Sequence, residues 1–401
     1  MWQQIKNLYH LLAALFASYY FSSPSKKLKI IGVTGTDGKT TTCHMIYEVL
    51  KAGGKKVSLI SSIHAAIGSK SYDTGFHVTT PSPFTLQKFL KKIVKAKSEF
   101  LVLEVTSHGL DQNRVFGIDF EIAVLTNITQ EHLDYHKTYK NYLKAKSKLF
   151  ENARVCVLNA DDDSFSELKK ITDRKIITYS ERKTTDYNLN KFPIKLKIPG
   201  NYNLSNALAA AAACSQLGIP KKVITKTLAQ FAGLKGRMEE VNLGQDFTIV
   251  VDFAHTPNGL KNALEALKFK LESPKSKLIA VFGAAGERDR GKRPVMGQVA
   301  AKIADISVLT AEDPRTEKVG DITYEIAKGF LKERKKEGKS YYIEPDRKRA
   351  IELAVNLAKK DDIVATFGKS HEKSMCFGKI EYPWDEFEAI KKAIKNKLNE
   401  N

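Results

Sequence analysis

Hydrophobic positions along the chain fall into short, nearly uncharged runs separated by longer stretches of helical period. In the first half these runs are Ile30–Val33, Val57–Ile60, Phe100–Val105, Ile122–Thr126 and Val155–Leu158. Runs so poor in charge read as strands covered on both faces. Their alternation with helices predicts βαβ units around a parallel sheet. An Ala-rich helix is predicted over Leu204–Leu217, stopped by Gly218-Ile219-Pro220. After the turn at residues 233–236 a second series begins, Phe247–Val251, Leu278–Phe282, Ile306–Thr310, Tyr341–Ile343 and Ile363–Phe367, which predicts a second doubly wound domain. The expected α/β organisation is an N-terminal apolar helix and linker (1–27), a central phosphate-loop domain with a mostly parallel sheet (28–235) and a smaller Rossmann-like domain (236–401).

The run Tyr9–Phe21 interrupts this rhythm. It is nearly unbroken and apolar, yet its 13 residues fall short of the roughly 20 that a spanning helix needs. It is followed within about a dozen residues by a phosphate loop, which needs nucleotide and so points to the cytoplasm. The favoured expectation is a packing helix, with peripheral membrane contact through residues 9–21 as the alternative. The chain's 401 residues carry 42% hydrophobic and 27% charged side chains, a soluble globular composition that excludes global disorder and a multi-span membrane protein. The net charge of +20 favours contact with anions of some kind, or else a Lys-rich solvated surface, because the cations are spread rather than clustered. Four scattered cysteines with no CxxC pair argue against thiolate metal sites and disulfides.

The densest chemistry lies in Ile30-Ile31-Gly32-Val33-Thr34-Gly35-Thr36-Asp37-Gly38-Lys39-Thr40-Thr41, a strand that feeds a Gly-rich turn and a helix. Backbone N–H groups of such a turn wrap polyphosphate, Lys39 supplies a point charge, and Thr40 Oγ1 can sit on Mg²⁺. The run Phe100–Val105 places Glu104 at a strand end, the layout of a second Mg²⁺ ligand or of a solvated cap. Thr126-Asn127 leads to His132, a metal ligand, an acid/base or a surface histidine. Lys146, taken alone, reads as part of a solvated helix face. In the second domain Val251-Asp252-Phe253-Ala254-His255 ends a strand. The loop Gly283–Pro294 carries Arg288 among four cations in six residues, suited to phosphate or carboxylate. Glu312-Asp313-Pro314-Arg315 and Gly368-Lys369-Ser370-His371-Glu372 close further strands with mixed charge, as a zwitterion pocket would.

In this order the motifs resemble the Mur ligase superfamily of ATP-dependent amide-bond-forming enzymes, over about residues 28–375. Within it they are most similar to the branch that adds the third residue of the peptidoglycan stem peptide. The carrying segments are Gly35-Thr36-Asp37-Gly38-Lys39-Thr40-Thr41, Thr79-Thr80-Pro81, Glu104–Leu110, Asp252–Pro257 and Asp313–Glu317. The resemblance implies that Gly35 to Thr41, Asn127 and Asn206 hold ATP, with Arg237, Asp252 and His255 reaching it from the second domain. It makes Lys39, Glu104, His132 and Lys146 the catalytic set. It implies two Mg²⁺ sites built from Thr40, Glu104, His132 and a Lys146 carbamylated by CO₂. Thr79, Thr80, Thr106, Gln112 and Arg114 would contact a UDP-N-acetylmuramoyl-L-Ala-D-Glu-like acceptor. Arg288, Glu312, Asp313, Arg315, Gly368 and Glu372 would line the amino-acid pocket. The implied reaction phosphorylates an acceptor carboxylate, and an amine then attacks the acyl phosphate.

Two departures stand out. Family members usually begin with a UDP-holding domain of roughly one hundred residues, whereas fewer than thirty residues precede the first expected strand here, Ile30–Val33. The diaminopimelate pocket usually reads Asp-Asn-Pro-Arg, and this chain has Glu312-Asp313-Pro314-Arg315, which leaves meso-diaminopimelate, lysine or another diamino acid open. The expected partners are the sugar-peptide acceptor and an amino acid, with the chain a monomer and no nucleic-acid partner. Competing readings are a same-fold ligase for a γ-glutamyl or folate acceptor, and a basic nucleic-acid or membrane-surface ATPase.

Overall fold

The computed structural model describes residues 2–73 and 79–400. It divides into two compact units, one formed by residues up to Gln130 with 136–197 and 201–232, the other by 131–135, 198–200 and 233–401.

The first unit is built on an eight-stranded sheet. Its strands are β1 (Lys29–Thr34), β2 (Val57–Ile60), β3 (Ala65–Ile67), β4 (Lys70–Tyr72), β5 (Phe100–Glu104), β6 (Phe120–Leu125), β7 (Ala153–Asn159) and β8 (Lys175–Tyr179), in the order β4-β3-β2-β5-β1-β6-β7-β8. The strands from β2 to β8 across the sheet pair in parallel, and β3 and β4 add an antiparallel edge. In β2 and β5 every residue is buried. That is the consequence of helices on both faces, and it explains the absence of an alternating pattern. β1 lies between β5 and β6, at the point where the strand order turns back, where open α/β sheets place their ligands. The Ala-rich helix Tyr202–Gln216 buries Ala207 to Ala213 completely and packs on the Lys39–Ala52 helix.

The second unit has a six-stranded sheet of β9 (Glu239–Val241), β10 (Thr248–Asp252), β11 (Leu278–Phe282), β12 (Ile306–Leu309), β13 (Tyr341–Ile343) and β14 (Ile363–Phe367), in the order β13-β12-β11-β14-β10-β9. Only β9 is antiparallel among these pairings. A separate hairpin, β15 (Ser374–Phe377) and β16 (Ile380–Pro383), follows β14. One apolar cluster lies on each sheet face, around Leu264 and Phe282 on one and Val281 and Ile351 on the other.

The N-terminal helix runs Trp2–Tyr20 and packs against the helix Pro83–Lys95. It does pack, but through small residues: Ala14 and Ala17 are buried, while Leu12, Phe16 and Tyr19 are exposed. Small side chains permit close helix approach and send the large ones outward. No helix among the described residues is long and apolar enough to cross a membrane.

Candidate functional site

β1 passes directly into the Gly35–Gly38 turn and the Lys39–Ala52 helix. Gly38 caps that helix at φ 80°, and a Cβ there would lie 2.2 Å from Asn206 Oδ1, so both the backbone and the close approach require glycine. The turn is held from the β6 side. Thr36 N–H donates to the Asn127 carbonyl (2.8 Å), Asp37 N–H to Asn127 Oδ1 (2.9 Å), and Thr126 Oγ1 to the Asp37 carbonyl (2.7 Å). Lys39 Nζ donates to the Thr36 carbonyl at 2.7 Å. Thr41, next to Thr40 in the first helical turn, is buried. Asn206 accepts from Thr42 Oγ1 (3.3 Å) and donates to Asn203 Oδ1 (3.2 Å). First-turn N–H groups beside an ammonium make an anion cradle.

Glu104 ends β5, and the parallel register that sets Val33 opposite Glu104 brings it to the start of the turn. The carboxylate is buried and accepts from Thr40 Oγ1 at 3.1 Å through both oxygens, and from the Ser62 N–H at 2.9 Å. Ser62 Oγ lies 3.0 Å from Thr40 Oγ1. A hydroxyl pair and one carboxylate form a small, hard oxygen set that fits Mg²⁺. Ser62, which follows β2, had no sequence signal; it is found only when β2 and β5 are paired.

Lys146 is not on a solvated face. It is 1% exposed on the helix Tyr139–Glu151, with Nζ 2.5 Å from the Gly35 carbonyl and 4.7 Å from the centre of the Tyr142 ring. Tyr142 OH in turn lies 3.0 Å from Thr36 Oγ1. Lys146 therefore touches the underside of the same turn that Lys39 covers. His132 takes a left-handed φ of 56° in the 131–135 segment of the second unit, whereas Glu104 and Lys146 belong to the first. A histidine that sequence reasoning passed over, His136, is buried in the first unit with Nε2 3.0 Å from Ser107 Oγ. Burial lowers its pKa to about 4, so it is neutral at pH 7.

The residues expected to take the acceptor form one network. Thr80 Oγ1 accepts from Thr106 N–H (2.9 Å) and sits 3.1 Å from Thr106 Oγ1, which caps the helix Ser107–Asp111 by accepting from Gly109 N–H (3.0 Å). Arg114 donates through Nη1 to the Thr80 carbonyl (2.7 Å), and through Nε and Nη2 to Gln112 Oε1 (3.0 and 2.7 Å). Thr79 adjoins this network, half-buried.

In the second unit Asp252 ends β10 and accepts from Met238 N–H (2.9 Å) and Ala254 N–H (2.8 Å). The Arg237 guanidinium lies 4.6 Å from the Phe253 ring centre, and the His255 and His371 rings lie 4.9 and 5.0 Å from that ring. Arg237, Asp252 and His255 are thus gathered around Phe253. Burial, with Arg237 adding to it, lowers the pKa of His371 to about 4.

The predicted amino-acid residues also converge, with one addition. Lys369, fully buried, donates to Asp313 Oδ1 (2.8 Å) and to Glu372 Oε2 (2.6 Å). Asp313 Oδ1 accepts the Cys376 N–H as well (3.0 Å). Burial pulls the Lys369 pKa down, but Glu372 and Asp313 together hold it above its ordinary value. Arg315 donates to the Gly286 carbonyl (2.6 Å), and Arg288 lies in the field of Arg315, Asp134 and Asp313. A Cβ on Gly368 (φ 98°) would come 3.2 Å from Glu312 Cδ. Burial raises the pKa of Glu312.

Known proteins resemble the chain over nearly all of its length. Residues 33–214 match the Mur ligase middle domain, and residues 236–370 the Mur ligase, glutamate ligase domain. A Clostridium tetani protein named UDP-N-acetylmuramoyl-L-alanyl-D-glutamate--2,6-diaminopimelate ligase is 39% identical, over 95% of this chain and 81% of that one. A Bacillus cereus protein of the same name is 37% identical, over 98% of this chain and 84% of its own length. A solved structure of a ligase of that name superimposes with a TM-score of 0.60 at 32% identity, covering 92% of this chain and 79% of the other. Mycobacterium tuberculosis folylpolyglutamate synthase shares the fold at a TM-score of 0.71 and 15% identity, covering 89% of this chain and 92% of its own.

Proposed function

We propose that this chain, which belongs to the Mur ligase family, is an ATP-dependent ligase that adds meso-diaminopimelate to a UDP-N-acetylmuramoyl-L-Ala-D-Glu acceptor. The observation that carries the choice of amino acid is the Asp313–Lys369–Glu372 bridge. Asp313 departs from the family's Asn, and an extra acid there would favour lysine. Here its charge is spent on Lys369 and the Cys376 N–H, so Arg315 and Arg288 remain to meet a distal carboxylate.

The turn from Gly35 to Thr41 with Asn127 and Asn206 binds the nucleotide, and Lys39 moves from the Thr36 carbonyl to the phosphates. Thr40 and Glu104, steadied by Ser62, hold Mg²⁺, which when bound offsets phosphate charge. Arg237, Asp252 and His255 serve the nucleotide from the second domain, with the boundary near residue 235. Thr79, Thr80, Thr106, Gln112 and Arg114 orient the acceptor so that its carboxylate is phosphorylated and then attacked by the incoming amine. A second Mg²⁺ site at His132 and carbamylation of Lys146 belong to the same reading. In carbamylation the neutral amine adds CO₂ with loss of a proton, which would replace the ammonium by an anionic oxygen ligand while one N–H remains to face the Gly35 carbonyl. The chain acts as a monomer in the cytoplasm, where ATP is present.

The test is phosphate release from ATP with Mg²⁺, bicarbonate and the UDP-linked dipeptide, comparing meso-diaminopimelate, lysine and no amino acid. Release with diaminopimelate alone is expected. Release with lysine alone would overturn the charge argument, and release with neither would overturn the acceptor.

A further inference from the structure

The N-terminal helix Trp2–Tyr20 packs through its small residues and leaves most of its large apolar ones outside. Its fully buried positions are small, Ala14 3% and Ala17 0% exposed, and Leu11 beside them is half-buried. Its outward face carries Leu8, Tyr9, Leu12, Leu15, Phe16 and Tyr19, between 47% and 85% exposed. Their i, i+4, i+7, i+11 spacing makes one continuous apolar stripe. The stripe extends onto the next helix, where exposed Phe84 meets Phe16 at a ring separation of 5.9 Å. Such a surface is far more apolar than solubility requires.

Its charge is as biased as its hydrophobicity. Exposed Lys88, Lys91 and Lys95 continue the same face of the Pro83–Lys95 helix beyond Phe84, and Lys91 Nζ lies 5.8 Å from the Phe21 ring centre. Residues 2–28 and 79–97 together contain eight lysines and no aspartate or glutamate, in a chain that has 45 acids.

We propose that this face docks on an anionic lipid bilayer, lying in its interface without crossing it. Leucines and aromatic rings suit the acyl boundary, and lysines alongside them suit acidic headgroups. A second copy of the chain would set lysines against lysines. A protein partner is disfavoured because lysine is depleted in protein interfaces. The helix also touches the acceptor segment. Asn7 Nδ2 donates to Asp111 Oδ2 (3.1 Å), and Asn113 Nδ2 donates to the Asn7 carbonyl (3.3 Å). Docking would therefore bring the edge that binds the acceptor to the membrane. The proposal stands on surface chemistry and does not depend on the ligase reading.

Co-sedimentation of the full chain with vesicles tests it, using phosphatidylcholine alone and phosphatidylcholine with about one third phosphatidylglycerol. Binding to the acidic vesicles, weakened by salt, is expected. The triple change Lys88→Glu, Lys91→Glu, Lys95→Glu should lower partitioning by at least about 100-fold at low salt, at about fivefold for each lysine lost. The pair Leu12→Glu and Phe16→Glu should abolish it while circular dichroism and nucleotide binding stay unchanged. No binding to acidic vesicles overturns the proposal. So does a concentration-dependent dimer of the unmodified chain that the Leu12→Glu, Phe16→Glu variant loses, which would assign the face to a second copy.

Discussion

Replacing Lys369 by Met separates the two roles assigned to that side chain. The ammonium is fully buried, while the Asp313 and Glu372 side chains it joins are 6% and 18% exposed. Removing one partner of a buried pair costs about 3–5 kcal/mol, mostly because the remaining charge is left without compensation. Glu372 can partly recover water, so the lower half of that range is expected. Adding Asp313→Asn to Lys369→Met should recover about 1–2 kcal/mol, because the amide oxygen still accepts the Cys376 N–H and the more buried of the two carboxylate charges is gone. Urea unfolding of the four members of this cycle gives the coupling directly. Kinetics provide the second readout. With the cation gone, freed Asp313 repels a distal carboxylate, so the KM for meso-diaminopimelate should rise at least about tenfold while lysine improves as a substrate. A coupling below about 0.5 kcal/mol, or an unchanged preference between the two amino acids, would refute the argument that Asp313 is neutralised from within.

Three further outcomes follow from the same geometry. Glu104→Gln should lower kcat about 100-fold and raise the Mg²⁺ concentration for half-maximal rate, and an unchanged Mg²⁺ titration would remove Glu104 from the metal site. Gly38→Ala places a Cβ 2.2 Å from Asn206 Oδ1 at a φ of 80°. It should cost about 1–3 kcal/mol in stability and weaken binding of a fluorescent ATP analogue, and full retention of both would contradict the close packing. His136 and His371 have folded pKa values near 4 against an ordinary 6.5, so the unfolded chain takes up protons first on acidification. Stability is complete above about pH 6.5 and falls as the pH drops toward 4, by roughly 1–3 kcal/mol per histidine. His136→Asn should flatten part of that slope in urea titrations at pH 7 and 5.

What the sequence disclosed and what it hid divide along physical lines. Fully apolar strands announce themselves, and each of the ten expected runs falls on a strand of the two large sheets, with Val105, Thr126, Phe247 and Thr310 lying one residue outside. The edge elements β3, β4, β8, β9, β15 and β16 did not. Each is three to five residues long, exposed in part or throughout, and held by pairing with a neighbour rather than by its own pattern. The Lys39 turn was legible because glycines, lysine and threonine are contiguous there. Ser62, His136 and Lys369 were not, since each acquires meaning only from a residue distant in sequence. The helix at the N-terminus was legible as a helix, but the apolar run hid which face packs. That depends on where Ala14 and Ala17 fall in the turn.

The parallel register of β1 with its two neighbours has a bearing on how such a site can change over time. Val33 is opposite Glu104 and Thr34 is opposite Leu125, so the glycine-rich turn, the carboxylate and the Thr126-Asn127 support are spaced by main-chain hydrogen bonds. The ladder works as a ruler. Crossover helices can lengthen, shorten or exchange their surfaces without moving any mark on it. A single residue lost within β5 would turn Glu104 to the opposite face of the sheet and erase the site at one stroke. Change in the connections therefore leaves the spacing of turn and carboxylate in place.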